Sequence, residues 1–227
     1  LPDQYGTTTI AVTIEDGGLD NDLTTPFDNE EFTHSFDVTV APVNDVPSGN
    51  PILNVAVDED QPTQTVNFDG ITAGPNESQN MQITAISGDP SLFAHPTVSY
   101  TDGPTGSLDF TPLPDQYGTT TIAVTIEDGG LDNNLLTTED NEDFTHYFDV
   151  TVAPVNDAPG KAATATVTIN EDAPSTVAIT GINAGPNETE IVRITATSSD
   201  TTLIPDPSVY YTSGSTNGAV VFTPLTD

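Results

Sequence analysis

The chain has 227 residues, with 35 Asp or Glu against 2 Lys or Arg and a formal net charge of −33. That imbalance excludes nucleic acid and anionic membrane surfaces as partners, because both are bound through clustered basic side chains. The absence of cysteine excludes disulfides and thiolate chemistry, and no apolar run reaches the ~18 residues needed for membrane insertion.

The chain opens on LPDQYGTTTIAVTIEDGGLDN at 1–21, which recurs unchanged at 113–133. The match continues to Asp45 and Asp157, with 39 of 45 positions identical. Segments 69–79 and 180–190 form a second pair, and 107–113 and 219–225 a third, all at offsets of 111 or 112. One ordinary domain per period follows, rather than a short solenoid unit. There is no initiator Met or signal peptide, so Leu1 is not expected to be the natural start. The register places residues 1–45 as the C-terminal part of one repeat (strands F and G), 46–157 as a complete repeat, and 158–227 as the N-terminal part of a third (strands A to E).

Within 46–157 short runs alternate between apolar and polar residues, and Gly, Pro, Asn and Asp punctuate them. Strand A carries Leu53, Val55 and Val57; B, Val66 and Phe68; C, Met81, Ile83 and Ala85; D, Val98 and Tyr100. Strand E carries Leu108 and Phe110; F, Ile122, Val124 and Ile126 against a row of threonines; G, Phe144, His146, Phe148, Val150 and Val152. This period predicts half-buried antiparallel strands and essentially no helix. Seven of them in about 110 residues predict an all-β fold, tandem immunoglobulin- or cadherin-like Greek-key sandwiches.

Counting strand directions sorts the loops. The B–C, D–E and F–G loops fall at the upstream end of each repeat, and the A–B, C–D and E–F loops at the downstream end. The downstream junction then gathers Glu59, Asp115, Asn156, Asp157, Asn187 and Glu188. Its upstream counterpart gathers Asp3, Asn44, Asp45, Asn76, Glu77 and Asp128, the last opening an acidic loop with Asp132 and Asp140. Unneutralised, such oxygens push neighbouring domains apart; Ca2+, which takes six to eight oxygen ligands, would lock the hinge. Acid enrichment for solubility in a saline habitat is the alternative, and the two are compatible.

The linker APVNDAPG at 153–160 resembles the end of a cadherin-type repeat. Val57–Pro62 and Ile169–Pro174 resemble the cadherin repeat's start, and Ile126–Gly130 its A-x-D-x-G turn. The resemblance implies calcium ligands at Glu59, Glu171, Asn156, Asp157 and Asp128, with Asn44, Asp45 and Asp16 in equivalent roles. Pro42 and Pro154 replace the linker's first Asp, and no D-x-D stands in the B–C loop. One or two ions per junction, or none, are therefore expected rather than three. Over its whole length the chain looks similar to the VNDAP-type tandem repeats of giant bacterial surface proteins. That likeness implies an extracellular, cell-surface location and a rod or fibre shaft, with neighbouring repeats or copies of the same protein as partners.

Catalysis finds no support. His34 and His146 occupy one repeat position at the sandwich margin, and no carboxylate is expected in an apolar setting that would raise its pKa. Asn76-Glu77-Ser78 and Asn187-Glu188-Thr189 match the glycosylation pattern but read as the B–C turn. The alternative function is a carbohydrate- or protein-binding module. Its candidate aromatics are Tyr5, Tyr117, Tyr100, Tyr210 and Tyr211, with Phe27 in the variable stretch of the F–G loop.

Overall fold

A computed structural model describes residues 3–24 and 27–226. The repeat register of Leu1, Pro2 and Asp227 lies outside the described residues. Twelve strands and no helix are found among those described.

Strands β1 (Gly6–Glu15) and β2 (Glu31–Val40) form a two-stranded hairpin. Seven strands follow: β3 (Val55–Asp58), β4 (Gln64–Asp69), β5 (Met81–Ser87), β6 (Thr97–Tyr100), β7 (Thr105–Phe110), β8 (Gly118–Asp128) and β9 (Asp143–Ala153). They make a four-stranded sheet, β3-β9-β8-β5, and a three-stranded one, β4-β7-β6. A single apolar cluster draws on both sheets: Phe68, Leu108 and Phe110 come from one, and Ile83, Ile122, Val124, Phe148, Val150 and Val152 from the other. Alternation places these side chains inward. The threonines between them face out and bond across the hairpin, Thr119 to Thr151 at 3.0 Å and Thr125 to Thr145 at 2.8 Å. Thr7–Thr39 and Thr13–Thr33 repeat the pattern in β1–β2.

Three details differ from the sequence reading. First, β3 pairs with β9 in parallel, not antiparallel; six turns separate them, so the direction count returns them to the same sense. Second, Leu53 is 81% exposed and outside the strand, so strand A buries only Val55 and Val57 in part. Third, loops contribute to the core. Leu92 and Phe93 sit on a turn capped by Asp89, whose Oδ1 accepts from Ser91 N at 2.9 Å and Ser91 Oγ at 2.6 Å.

Beyond the linker, β10 (Ser175–Thr180), β11 (Ser208–Tyr210) and β12 (Asn217–Phe222) form a three-stranded sheet in the order β10-β12-β11. These are repeat strands B, D and E. The expected strands A and C, near 165–170 and 191–197, do not form. The reason is visible in the central unit, where β3 pairs only with β9 and β5 only with β8. In 158–226 the equivalents of those two partners are missing, so residues 191–197 alternate in exposure without a ladder.

Candidate metal centre

At the downstream end of the central unit, the turn after β3 carries Glu59 and Asp60, and the loop before β8 carries Asp115. The linker adds Asp157, and the turn after β10 adds Glu188. Asp60, Asp115 and Asp157 each offer an oxygen, all within 4.8 Å of one another. Glu59 is 2% exposed. Its Oε1 accepts from Val155 N at 2.8 Å, while Oε2 is buried without a hydrogen-bond partner. Asp157 Oδ2 and Glu188 Oε2 are buried and unpartnered as well. Glu188 Oε1 accepts from Asp157 N at 2.8 Å, which ties the turn to the linker.

Burial raises Asp157 above its ordinary 3.8, and Asp115, Asp60, Glu188 and Glu59 raise it further. No basic side chain offsets this charge: Lys161 Nζ bonds Ala162 O and Thr164 Oγ1 instead. Local backbone geometry fits the same purpose. Asp60, Asp115 and Asn187 adopt φ of 61°, 58° and 55°, left-handed conformations that Asp and Asn tolerate best. Gly185 is required by close approach, since a Cβ there would strike the Glu188 carboxylate and stand 2.8 Å from Asp157 Cβ.

The units also touch directly. Asn187 Nδ2 donates to Asp115 O at 2.6 Å and Tyr117 Oη to Asn187 O at 3.2 Å. The upstream junction repeats the plan. Asn76 Nδ2 donates to Asp3 O at 3.0 Å, and Asp45 N donates to Glu77 Oε1 and Oε2 at 3.3 Å each. Burial raises Glu77 above its ordinary 4.5, with Asp45, Asp128 and Asp3 adding to the rise.

Of the expected ligands, Glu59, Asp115 and Asp157 come together; Asp45 lies in the equivalent place upstream. Asp60, absent from the expected ligand set, belongs with them. Asn44 and Asp128 also meet, as donor and acceptor of a hydrogen bond. Asn44 Nδ2 reaches Asp128 Oδ1 at 3.1 Å and Asp140 O at 2.9 Å. Asp128, fully buried, also accepts from Gly130 N at 3.0 Å and Glu142 N at 3.1 Å. Asp16 caps the same turn in the first hairpin, accepting from Gly18 N at 3.0 Å and Glu30 N at 3.2 Å. Those two donors hold its carboxyl below the usual range. Glu171 is exposed, and Asn156 Nδ2 bonds only Asp157 O, at 3.2 Å. Asn44→Ala is expected to destabilise the upstream junction by about 1–3 kcal/mol, because it leaves the buried Asp128 short of a donor. Hydrogen exchange of Gly130 and Glu142 amides checks it.

Two of the histidines accept from backbone amides. His146 Nε2 accepts from Ile52 N at 2.9 Å, and His95 Nδ1 from Ser87 N at 3.1 Å. Among the tyrosines considered for a glycan platform, Tyr100 closes its own turn through Gly103 O at 3.1 Å. Tyr147, which the sequence reading did not single out, faces outward and is largely exposed.

The pKa directions fix a sign. Asp157 and Glu77 are raised in the folded state, so their protonation stabilises it, and that contribution is lost as pH rises through their folded values. Asp16, Asp22, Asp89 and Asp200 are lowered by backbone or side-chain donors, so they contribute above 3.8 and lose this as pH falls through their folded values. In chelator, melting temperature is therefore expected to rise as pH falls from neutral toward about 4.5, then to drop at lower pH. A monotonic fall from neutral pH contradicts the junction electrostatics.

No family model matches the chain, and no curated protein sequence matches it. Similar solved structures include the titin domains Z1Z2 in complex with telethonin, at 9% identity and TM-score 0.31 over 79% of this chain and 82% of that one. Domains 4 and 5 of the S-layer protein SbsC match at 17% and TM-score 0.32, over 65% of this chain and 59% of theirs. Zebrafish RET cadherin-like domains 1 to 4 match at 12% and TM-score 0.25, over 96% of this chain and 50% of theirs. The chain thus spans between half and three fifths of the latter two. Superposition at this level transfers no ligand, activity or partner.

Proposed function

We propose that this chain is a non-catalytic structural segment of a large extracellular surface protein, a rod or fibre shaft of tandem repeats stiffened by Ca2+ between repeats. Residues 1–45 then belong to one repeat, 46–157 to a complete one and 158–227 to a third. The observation supporting this most is the convergence of buried, unpartnered carboxylate oxygens from two units and their linker: Glu59, Asp157 and Glu188, beside Asp60 and Asp115. An all-oxygen, strongly anionic donor set suits a hard cation with many ligands. It offers none of the nitrogen or sulfur ligands that zinc prefers. Bound Ca2+ would supply charge neutralisation there, and the residues present supply the orientation: Glu59 through Val155 N, and Glu188 through Asp157 N.

Neighbouring repeats are the partners this geometry serves, since the cluster is complete only where two units and a linker meet. Scattering profiles in chelator and in millimolar calcium test the reading. The expected result is a longer, narrower distribution of inter-unit distances with calcium. Identical profiles, with no calcium-dependent change in melting, leave the charge as a solubility device alone.

A further inference from the structure

Tyr147 stands on the outward face of β9, 65% exposed, opposite Ala123 of β8. Ala123 in turn faces Ile86 of β5, which is 56% exposed. The three make one row across the outer surface of the four-stranded sheet, roughly 10 Å from β5 to β9. Polar rows border it. Thr84, Thr125 and Thr145 lie on one side, with Thr125 and Thr145 bonded at 2.8 Å. Asp149 lies on the other, and its Oδ1 accepts from Thr121 Oγ1 at 2.8 Å. The apolar row is particular to this unit. The residue equivalent to Tyr147 in β2 is Ser35, and the one equivalent to Ile86 is Thr197. Two apolar side chains thus occupy facing places where the equivalent residues are hydroxyls. Neither belongs to the core, so packing does not account for them.

We infer that this row is a glycan platform whose occupant is a cationic hexosamine polymer. One pyranose ring lays its C–H face on Tyr147, and the next crosses Ala123 toward Ile86. The sign of the ligand's charge follows from the unit itself. Both basic residues of the chain, Lys161 and Arg193, lie outside 46–157, so an anionic polysaccharide meets only acids there. A sugar ammonium meets the Asp149 carboxylate beside the stacked ring, and the tyrosine face attracts it too. Size points the same way. Three side chains fall far short of the roughly 800 Å² per partner that a stable protein interface buries. A second copy would also set the acids of two like faces against each other.

Calorimetric titration of the whole 227-residue chain tests this with a glucosamine tetramer, its N-acetylated form and a galacturonate tetramer. The glucosamine tetramer is expected to bind tightest and galacturonate not at all. Tyr147→Ser and Ile86→Thr install the residues that the equivalent positions carry, and both sites are exposed, so folding is not at stake. Tyr147→Ser is expected to weaken glucosamine binding about tenfold, and Ile86→Thr about fourfold. Both variants keep the net charge at −33. A tetramer held by bulk charge alone therefore binds them as it binds wild type, and that result overturns the inference. Asp149→Asn is expected to weaken the glucosamine tetramer and leave the N-acetylated one unchanged; equal loss of both overturns the cationic assignment. Absence of binding overturns the platform, as does galacturonate binding as well as glucosamine. A concentration-dependent dimer that Tyr147→Ser abolishes overturns it too, by giving the row to a second copy.

Discussion

Wild-type protein moved from chelator to calcium is expected to melt at a higher temperature, and Glu59→Gln to melt above wild type in chelator yet gain nothing from calcium. Glu59 is buried with one oxygen satisfied by Val155 N and the other by nothing. A buried charge without a counter-charge costs stability, and its neighbours Asp60, Asp115 and Asp157 are acids. The amide keeps an acceptor for Val155 N and removes the charge. A site with a dissociation constant near 0.1 mM, within the range of extracellular modules, gives about 2.7 kcal/mol at 10 mM calcium. The variant forfeits that gain. Calorimetry of both proteins in both buffers decides the matter: if Glu59→Gln responds to calcium as wild type does, Glu59 is no ligand.

Phe93→Ala is expected to lower the stability of the central unit by about 3–5 kcal/mol, the usual cost of truncating a fully buried aromatic. Phe93 is 0% exposed and its ring lies 4.7 Å from that of Phe110, centroid to centroid. The turn carrying it is pinned at both ends, by the Asp89 cap and by Leu113 N donating to Leu92 O at 2.9 Å. It cannot collapse into the space left behind. For a domain of about 100 residues the melting temperature should fall by about 15 °C or more. A drop of only a few degrees in calorimetry means the loop does not belong to the core.

Strands β7, β8 and β9 were legible because period-2 alternation is a local property, and Leu108, Ile122 and Phe148 are buried as it requires. Phe93 was not, since a five-residue turn has no period to read. The junction was legible in part. Direction counting and cadherin-like motifs drew Glu59, Asp115 and Asp157 to one end, and the structure places them near one another. They gave Asp60 no role, because its neighbour Glu59 matched the motif. The two also set Asn44 beside Asp128, and the structure joins them through a hydrogen bond that spacing alone does not show. Strands A and C of 158–227 failed for a further reason. Their residues alternate correctly, but a ladder needs two members.

The parallel pairing of β3 with β9 decides how the central unit bears a pulling force. Tension along the chain enters at β3 and leaves at β9, and the two point the same way. The load therefore slides one strand along the other, so the bonds from Val55–Val150 to Asp58–Ala153 must yield together rather than peel apart singly. Glu59 N to Ala153 O at 2.9 Å extends this clamp, and Val155 N to Glu59 Oε1 at 2.8 Å closes it. The last rung of the mechanical clamp is thus the first residue of the acidic cluster, and whatever holds Glu59 in place also braces the unit against being drawn out.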